Sequence, residues 1–316
     1  MDWTPGGVSG DVEDRRDSSG GGGGGGGFGF GGGGGGGIGI VGFIILLVIS
    51  LVTGRNFLGG MFSGGGSSAY SEPGARGPQA GQPQSRGGDS ATPRAHPAGE
   101  DRDVQLISFV LDDAQKTWTG VFNEAGNNYR HAKLVIFRDA TYSGCGTAQA
   151  ATGPFYCPQD EKIYIDLGFW QELKRFGGNT GEFAQAYVIT HELGHHVQKL
   201  LGIEAKEQRL ARQQPSERNH LSVALELQAD CFAGVWAHST EQRGIVHPDD
   251  IAGALSAAAA VGDDHLQRMS GRAISPESFT HGSSAQREQW FRRGLEQGAP
   301  SACDTFSSRA SNESSF

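Results

Sequence analysis

The sequence predicts an α+β fold in which a small β-sheet packs against a mainly helical body. The first observation is the order of the patterns, because one amphipathic helix precedes two or three short β-type runs and only helical patterns follow them. The second is that residues 20–37 are almost entirely Gly and Phe, and residues 59–100 are rich in Gly, Ser, Pro, Gln and Ala. Such stretches lack the apolar side chains that offset the entropy of ordering, so one sizeable core is expected from roughly residue 101 onward.

The elements of this core follow in chain order. Ile107, Leu111 and Trp118 share the three-to-four-residue period of an amphipathic helix over residues 103–126. A run rich in β-branched residues predicts a first strand, and an alternating run predicts a half-buried second strand. These strands cover 132–139 and 162–169, and the helical patterns after them cover 170–178, 179–202, 217–239, 248–261 and 284–297.

Residues 38–54 form an apolar run without charge between the two low-complexity stretches. A bilayer span needs about 17–25 residues, so this run is short but sufficient for one membrane-spanning helix. A buried core helix and a cleaved signal peptide are the alternatives. The expected organisation is a disordered Gly-rich tail over 1–37, a transmembrane helix over 38–54, a disordered linker over 55–102, a catalytic domain over 103–300 and a flexible tail over 301–316.

The cysteines indicate the compartment. Cys145 and Cys157 lie twelve residues apart in a loop with Gly and Pro, which predicts a small disulfide ring. Disulfides persist in oxidising compartments, so we expect the domain outside the cytoplasm of a single-pass membrane protein. Cys231 and Cys303 form a second pair or remain free thiols. The net charge of −9, with no basic stripe, argues against a nucleic-acid partner.

The segment 191–196 reads HELGHH within one of the predicted helices. His191 and His195 are four residues apart, so both imidazoles project from one face, with Glu192 flanking them. This H-E-x-x-H arrangement predicts a zinc site with two histidine ligands and Glu192 as general base. His196 projects about 100° away from His195 and is interpreted as a satisfied or exposed histidine.

A catalytic zinc ion takes three protein ligands and keeps one position open. No histidine follows His195 at the spacing of an extended motif, so the third ligand must lie elsewhere. Glu226 and Asp230 share one face of the otherwise apolar helix 217–239. We assign Glu226 as the third ligand and Asp230 as the acceptor of a free N–H from His191 or His195. The reverse assignment and an ordinary salt-bridged helix remain open.

The pairing of H-E-x-x-H with a later E-x-x-x-D resembles the gluzincin metallopeptidases. More specifically, the chain resembles the bacterial family of membrane-anchored neutral zinc metallopeptidases, over about residues 105–298. The match is carried by "CGTAQAATGPFYCPQDEKIYIDLGF", "VITHELGHHVQ", "ELQADCFAGVWA", "AAVGDDHLQR" and "SFTHGSSAQREQWFRRG". This resemblance implies a zincin-like metallopeptidase domain with one Zn²⁺ per chain, and the family also has a Gly-rich start and one N-terminal hydrophobic segment.

The expected function is a membrane-anchored zinc metallopeptidase that hydrolyses peptide bonds in a peptide or protein substrate. Glu192 would accept a proton from zinc-activated water and deliver it to the leaving amine. His281, in a loop before the last predicted helix, is the candidate donor to the oxyanion, with Tyr156 as the weaker alternative. The strand 162–169 either offers its edge to an extended peptide or is an ordinary core strand.

Two rival functions remain. A deformylase-like amidohydrolase also uses H-E-x-x-H and takes its third ligand from an upstream cysteine, which would be Cys145. The non-enzymatic alternative is a zinc-stabilised scaffold that binds envelope partners. Glu192 favours an enzyme, because a structural zinc site has no use for a base beside the metal.

Overall fold

The computed structural model describes residues 1–17, 99–149 and 153–307. Six strands occur in these ranges: β1 Val12–Asp14, β2 Lys133–Phe137, β3 Ala140–Ser143, β4 Gly146–Gln149, β5 Phe155–Cys157 and β6 Lys162–Asp166. The α-helices are α1 Glu100–Glu124, α2 Phe169–Arg175, α3 Glu182–Leu200, α4 Ile203–Gln213, α5 Arg218–Gln242, α6 Pro248–Ala260, α7 Asp263–Met269 and α8 Ser284–Gln297. The predicted α+β class, with a small sheet on a helical body, is confirmed.

Four of the strands form one sheet in the order β1-β2-β6-β5. β1 and β2 run parallel, as do β2 and β6, whereas β5 is antiparallel to β6. The last four residues of both β2 and β6 are buried, so the second strand, predicted to be half-buried, is buried on both faces; of these eight residues only Asp166 is neither apolar nor aromatic. β3 and β4 form a separate antiparallel hairpin. β6 is interior, so residues 162–169 form the ordinary core strand of the two alternatives left open, and β5 occupies that end of the sheet.

The predicted disordered tail over 1–37 is wrong for its first 17 residues, because β1 belongs to the sheet. The backbone N–H of Leu134 donates to the Asp11 carbonyl over 2.8 Å, and Arg15 N–H donates to Ile136 over 2.7 Å. The local sequence of β1 is only Val-Glu-Asp, so its strand conformation depends on these tertiary hydrogen bonds and not on apolar periodicity.

Both possible disulfides are present. The predicted Cys145–Cys157 bridge is confirmed, and the question left open for Cys231 and Cys303 is answered by a second bridge. The second bridge buries Cys303, so the ordered domain continues beyond the predicted boundary at residue 300. The expected flexible tail over 301–316 is therefore wrong as far as residue 307.

Within the described ranges, no helix combines the length and the hydropathy that a membrane crossing requires. The predicted transmembrane helix at 38–54 lies outside these ranges, as does most of the predicted linker over 55–102.

The helices α3 and α5 cross at the centre of the helical body. A Cβ atom on Gly194 would lie 3.1 Å from both Cα and the carbonyl oxygen of Ala229, so glycine allows the close approach. Ala229 lies between Glu226 and Asp230 on α5, whereas Gly194 lies beside His195 on α3. This crossing therefore places the two predicted metal-binding segments against each other.

Candidate metal centre

The helices α3 and α5 bring together the three predicted ligands, His191, His195 and Glu226. The Nε2 atom of His191 lies 3.3 Å from Oε2 of Glu226, and Nε2 of His195 lies 3.6 Å from Oε1. One ligand atom from each residue lies within 4.8 Å of the other two. We refer to these three residues as the candidate metal centre.

The donor set fits a zinc ion. A tetrahedral ion with bonds of about 2.0–2.1 Å holds its ligand atoms about 3.3–3.4 Å apart, and the two separations between a histidine and Glu226, one to each carboxylate oxygen, are close to this value. The Oε1 atom of Glu226 is buried and has no hydrogen-bond partner within the described residues. An isolated buried carboxylate oxygen is costly, and a cation at this point would satisfy it.

The charge of the centre also suits a cation. Burial raises the pKa of Glu226, but His195 and His191 outweigh burial and hold this pKa well below its usual range. The carboxylate is therefore charged. Burial lowers the pKa of His191, yet Asp230 and Glu226 together raise it to about 10. The negative potential that attracts a proton to His191 also attracts a divalent cation, which competes with that proton.

Hydrogen bonds on the outer side of each histidine select its tautomer. Nδ1 of His191 lies 2.8 Å from Oδ1 of Asp230, and Nδ1 of His195 lies 2.8 Å from Oε1 of Gln198. Both partner atoms are acceptors, so each Nδ1 carries a proton, and Nε2, which faces Glu226, is the nitrogen left to bind a metal ion once the ion displaces any proton held there. This arrangement supports Glu226 as the ligand and Asp230 as the residue that orients His191, rather than the reverse.

Two residues that the sequence analysis missed hold Asp230. Arg287 donates from Nε and Nη2 to the two carboxylate oxygens, over 2.9 Å each. The hydroxyl of Tyr187 donates to Oδ1 over 2.5 Å and accepts from Arg287 Nη2 over 3.1 Å. In the sequence, Tyr187 is one of the largely apolar residues along α3, and Arg287 is one of three arginines on α8. Only the tertiary packing reveals that both hold Asp230.

Glu192 is buried on α3 beside the candidate metal centre. Burial raises its pKa, and the nearby Glu226 adds to that effect, whereas His191 and His195 oppose it. A carboxylate with a raised pKa is a stronger base than an exposed one, which suits the predicted role of Glu192 in proton transfer.

His281 lies in a loop organised by Asp263. The Oδ2 atom of Asp263 accepts the backbone N–H groups of Thr280, His281 and Gly282 over 2.7, 2.7 and 3.1 Å. Its Oδ1 atom lies 3.3 Å from Nδ1 of His281. Burial lowers the pKa of His281, but Asp263 and Glu226 oppose burial and raise this pKa overall. The sequence analysis did not include Asp263 in the site.

Tyr156 does not fit its predicted alternative role as the oxyanion donor. Nε2 of His196 lies 2.7 Å from the Arg130 carbonyl oxygen, so that nitrogen carries the ring proton. The other nitrogen, Nδ1, then accepts the Tyr156 hydroxyl proton over 2.9 Å. His196, which was predicted to be a satisfied or exposed histidine, is buried with both ring nitrogens hydrogen-bonded, and it ties α3 to β5.

The deformylase-like alternative requires a cysteine thiolate as the third ligand. Cys145 is bonded to Cys157, and Cys231 to Cys303, so all four cysteines of the chain are oxidised. None of them supplies a thiolate, and Glu226 occupies the third position instead.

Comparison with known proteins identifies the family of this chain. Residues 1–306 match the family model described as "Putative neutral zinc metallopeptidase". The chain is 44% identical over 307 residues to the uncharacterized protein YpfJ of Escherichia coli K12, covering 97% of this chain and 99% of that protein. It is also 44% identical over 190 residues to the uncharacterized protein Rv2575 of Mycobacterium tuberculosis H37Rv, covering 57% and 64%. No solved structure gives a significant match. The chain thus belongs to the family of neutral zinc metallopeptidases.

Proposed function

We propose that the protein is a zinc-dependent peptidase that hydrolyses peptide bonds with Glu192 as its general base. The observation that carries the proposal is the convergence of the His191, His195 and Glu226 ligand atoms beside a buried carboxylate that is not needed as a ligand. A closed structural zinc site takes four protein ligands and no base. Three ligands with Glu192 alongside favour catalysis over a scaffold role.

Zinc, when bound, would act as a Lewis acid on the scissile carbonyl and would activate a water molecule. Glu192 takes the proton of the attacking water and returns it to the leaving amine. His281 donates an N–H to the developing oxyanion, while Asp263 holds the loop and the ring in position. Asp230 keeps the proton of His191 on Nδ1, so that Nε2 remains available as a ligand.

A peptide substrate would bind along the edge of β5. This strand lies at the end of the four-stranded sheet, and its Tyr156 is hydrogen-bonded to His196 of the H-E-x-x-H helix. An extended peptide can add to such an edge through main-chain hydrogen bonds. The arrangement favours peptides or unfolded segments over folded proteins as substrates.

The test uses the full chain, prepared with zinc and without a chelator. Wild type is expected to hold about one zinc per chain, and Glu226→Ala is expected to lose most of it. Glu192→Gln should retain zinc but lose hydrolysis of an unfolded protein substrate such as casein. No zinc in the wild type would overturn the proposal, and full activity in Glu192→Gln would remove its mechanism.

A further inference from the structure

The end of the ordered chain lies along the ligand-bearing helix α5. We call residues 300–307 the C-terminal strap. The disulfide joins Cys303 to Cys231, the side-chain amide of Gln228 donates to the Cys303 carbonyl oxygen over 2.9 Å, and Thr305 donates to the Ala224 carbonyl over 2.5 Å. The three points of attachment on α5 therefore lie on both sides of Glu226.

The strap also connects to His195 through two buried amides. Nε2 of Gln228 donates to Cys303, so Oε1 of Gln228 faces Gln198 and accepts from its Nε2 over 3.1 Å. Gln198 Nε2 donates to the Leu225 carbonyl as well, over 2.7 Å. The remaining atom, Oε1 of Gln198, therefore faces Nδ1 of His195. The Cys303 carbonyl thus fixes the orientation of the Gln228 amide, and the Gln228 amide in turn fixes that of Gln198, which contacts His195.

We propose that the C-terminal strap positions the metal ligand His195, so that zinc affinity depends on the Cys231–Cys303 disulfide. This inference rests on the proposed zinc site. Formation of the disulfide removes two protons and two electrons from the two thiols, and a disulfide-bearing oxidoreductase is the class of oxidant that accepts them. Full zinc affinity then requires oxidation of the chain.

The test measures zinc affinity of the full chain by competition with a chromophoric chelator. Cys231→Ser/Cys303→Ser should bind zinc about 10–100-fold more weakly than wild type, the range typical for loss of a group that orients a ligand. The control is Cys145→Ser/Cys157→Ser, which removes the other disulfide and should bind within about twofold of wild type.

A second variant covers the case in which the serine pair fails to fold. Gln228→Met keeps the disulfide and the side-chain length but removes the amide, and it should also weaken zinc binding. If Glu226→Ala abolishes zinc binding while Gln228→Met binds as wild type, the strap inference is overturned and the zinc site stands. If Glu226→Ala binds zinc normally, the proposed site itself fails.

An independent observation concerns membrane topology. Residues 1–17 belong to the same fold as residues 99–307, because β1 pairs with β2 and Trp3 packs 5.8 Å from the ring of Phe109. Lys133 also donates to the Asp11 carboxylate over 2.7 Å. These contacts require both parts of the chain in one compartment.

We infer that residues 1–17 and residues 99–307 lie in one compartment, so that no single membrane crossing separates them. A single crossing at 38–54 would separate β1 from β2. The apolar run 38–54 has 17 residues, which is too few for two crossings, because each crossing needs about 17–25 residues. This placement stands in place of the single-pass arrangement expected from the sequence.

The experiment labels introduced cysteines in bacteria that produce the full chain. Val8→Cys and Met269→Cys replace side chains that are 59% and 47% exposed in the two parts of the chain. A membrane-impermeant maleimide is applied to intact cells and, as the control, after lysis. Labelling of both sites, or of neither, before lysis supports the inference. Labelling of one site alone, when both react after lysis, would overturn it.

Discussion

The buried ion pair between Asp230 and Arg287 supports the metal ligand His191, and the substitution Arg287→Met tests this pair directly. The guanidinium makes two hydrogen bonds to Asp230 and one to Tyr187, and both charged side chains are buried. Methionine has a similar length but neither charge nor donors. The substitution leaves the Asp230 carboxylate with His191 and Tyr187 as its hydrogen-bond donors and no permanent counter-charge.

The expected loss is large. Removing one partner of a buried ion pair typically destabilises a protein by about 3–5 kcal/mol, because the other charge remains buried without compensation. In the metal-free chain His191, whose pKa is raised to about 10, still places a positive charge beside Asp230, so the lower end of this range is expected. Asp230 also keeps His191 in the tautomer that binds metal. Loss of such an outer hydrogen-bond partner lowers metal affinity about 10–100-fold, equivalent to about 1.4–2.7 kcal/mol. Arg287→Met should therefore lower the free energy of unfolding of the metal-free chain and, separately, weaken zinc binding.

The assay is denaturant unfolding of the metal-free chain, combined with zinc titration. A double-mutant cycle of Arg287→Met and Asp230→Asn separates the pair energy from the cost of each substitution. We expect the double variant to be more stable than the sum of the single losses implies, because the isolated buried charge is gone. If the free energy of unfolding of Arg287→Met lies within about 0.5 kcal/mol of wild type, the range of ordinary surface substitutions, the Asp230–Arg287 pair does not stabilise the fold.

Three further predictions follow from described contacts. Gly294→Ala should lower the free energy of unfolding by at least about 1–3 kcal/mol, because its Cβ would lie 1.9 Å from the Cys231 carbonyl oxygen. The helical control is Gly120→Ala, whose Cβ would have no atom within 4 Å, and it should raise the free energy of unfolding by about 0.5–1 kcal/mol. Asp263→Asn should retain zinc but lower kcat for casein hydrolysis about tenfold or more, because the His281 loop loses its anchor; unchanged kcat would contradict this role. In the metal-free chain, the hydrogen bond with His281 and the backbone N–H groups hold the pKa of Asp263 below its usual value despite the opposing effect of burial. Its stabilising contribution is complete above about pH 4 and is lost as the pH falls through the lowered folded pKa, so acid unfolding should depend less on pH in Asp263→Asn than in wild type.

The sequence predicted the helices that carry the site because their apolar periodicity is long and regular. The helix predicted over 284–297 has the bounds observed for α8, and that predicted over 217–239 differs from α5 by a few residues. The ligand set followed from local spacing, since His191 and His195, and separately Glu226 and Asp230, are four residues apart on single helices.

The residues that support these ligands could not be predicted, because their partners lie far away in the chain. Arg287 contacts Asp230 across 57 positions, and Gln228 contacts Cys303 across 75. β1 was missed for a related reason. Its three residues carry two charges and no apolar period, and it becomes a strand only by pairing with β2.

Zinc K-edge X-ray absorption on the full chain tests whether a zinc ion is held by His191, His195 and Glu226. Coordination by His191, His195 and Glu226 should give only nitrogen and oxygen neighbours at about 2.0–2.2 Å, with the outer-shell scattering of two imidazoles, and this signal should be lost in Glu226→Ala. A sulfur neighbour at about 2.3 Å, or a spectrum that Glu226→Ala leaves unchanged, would contradict it.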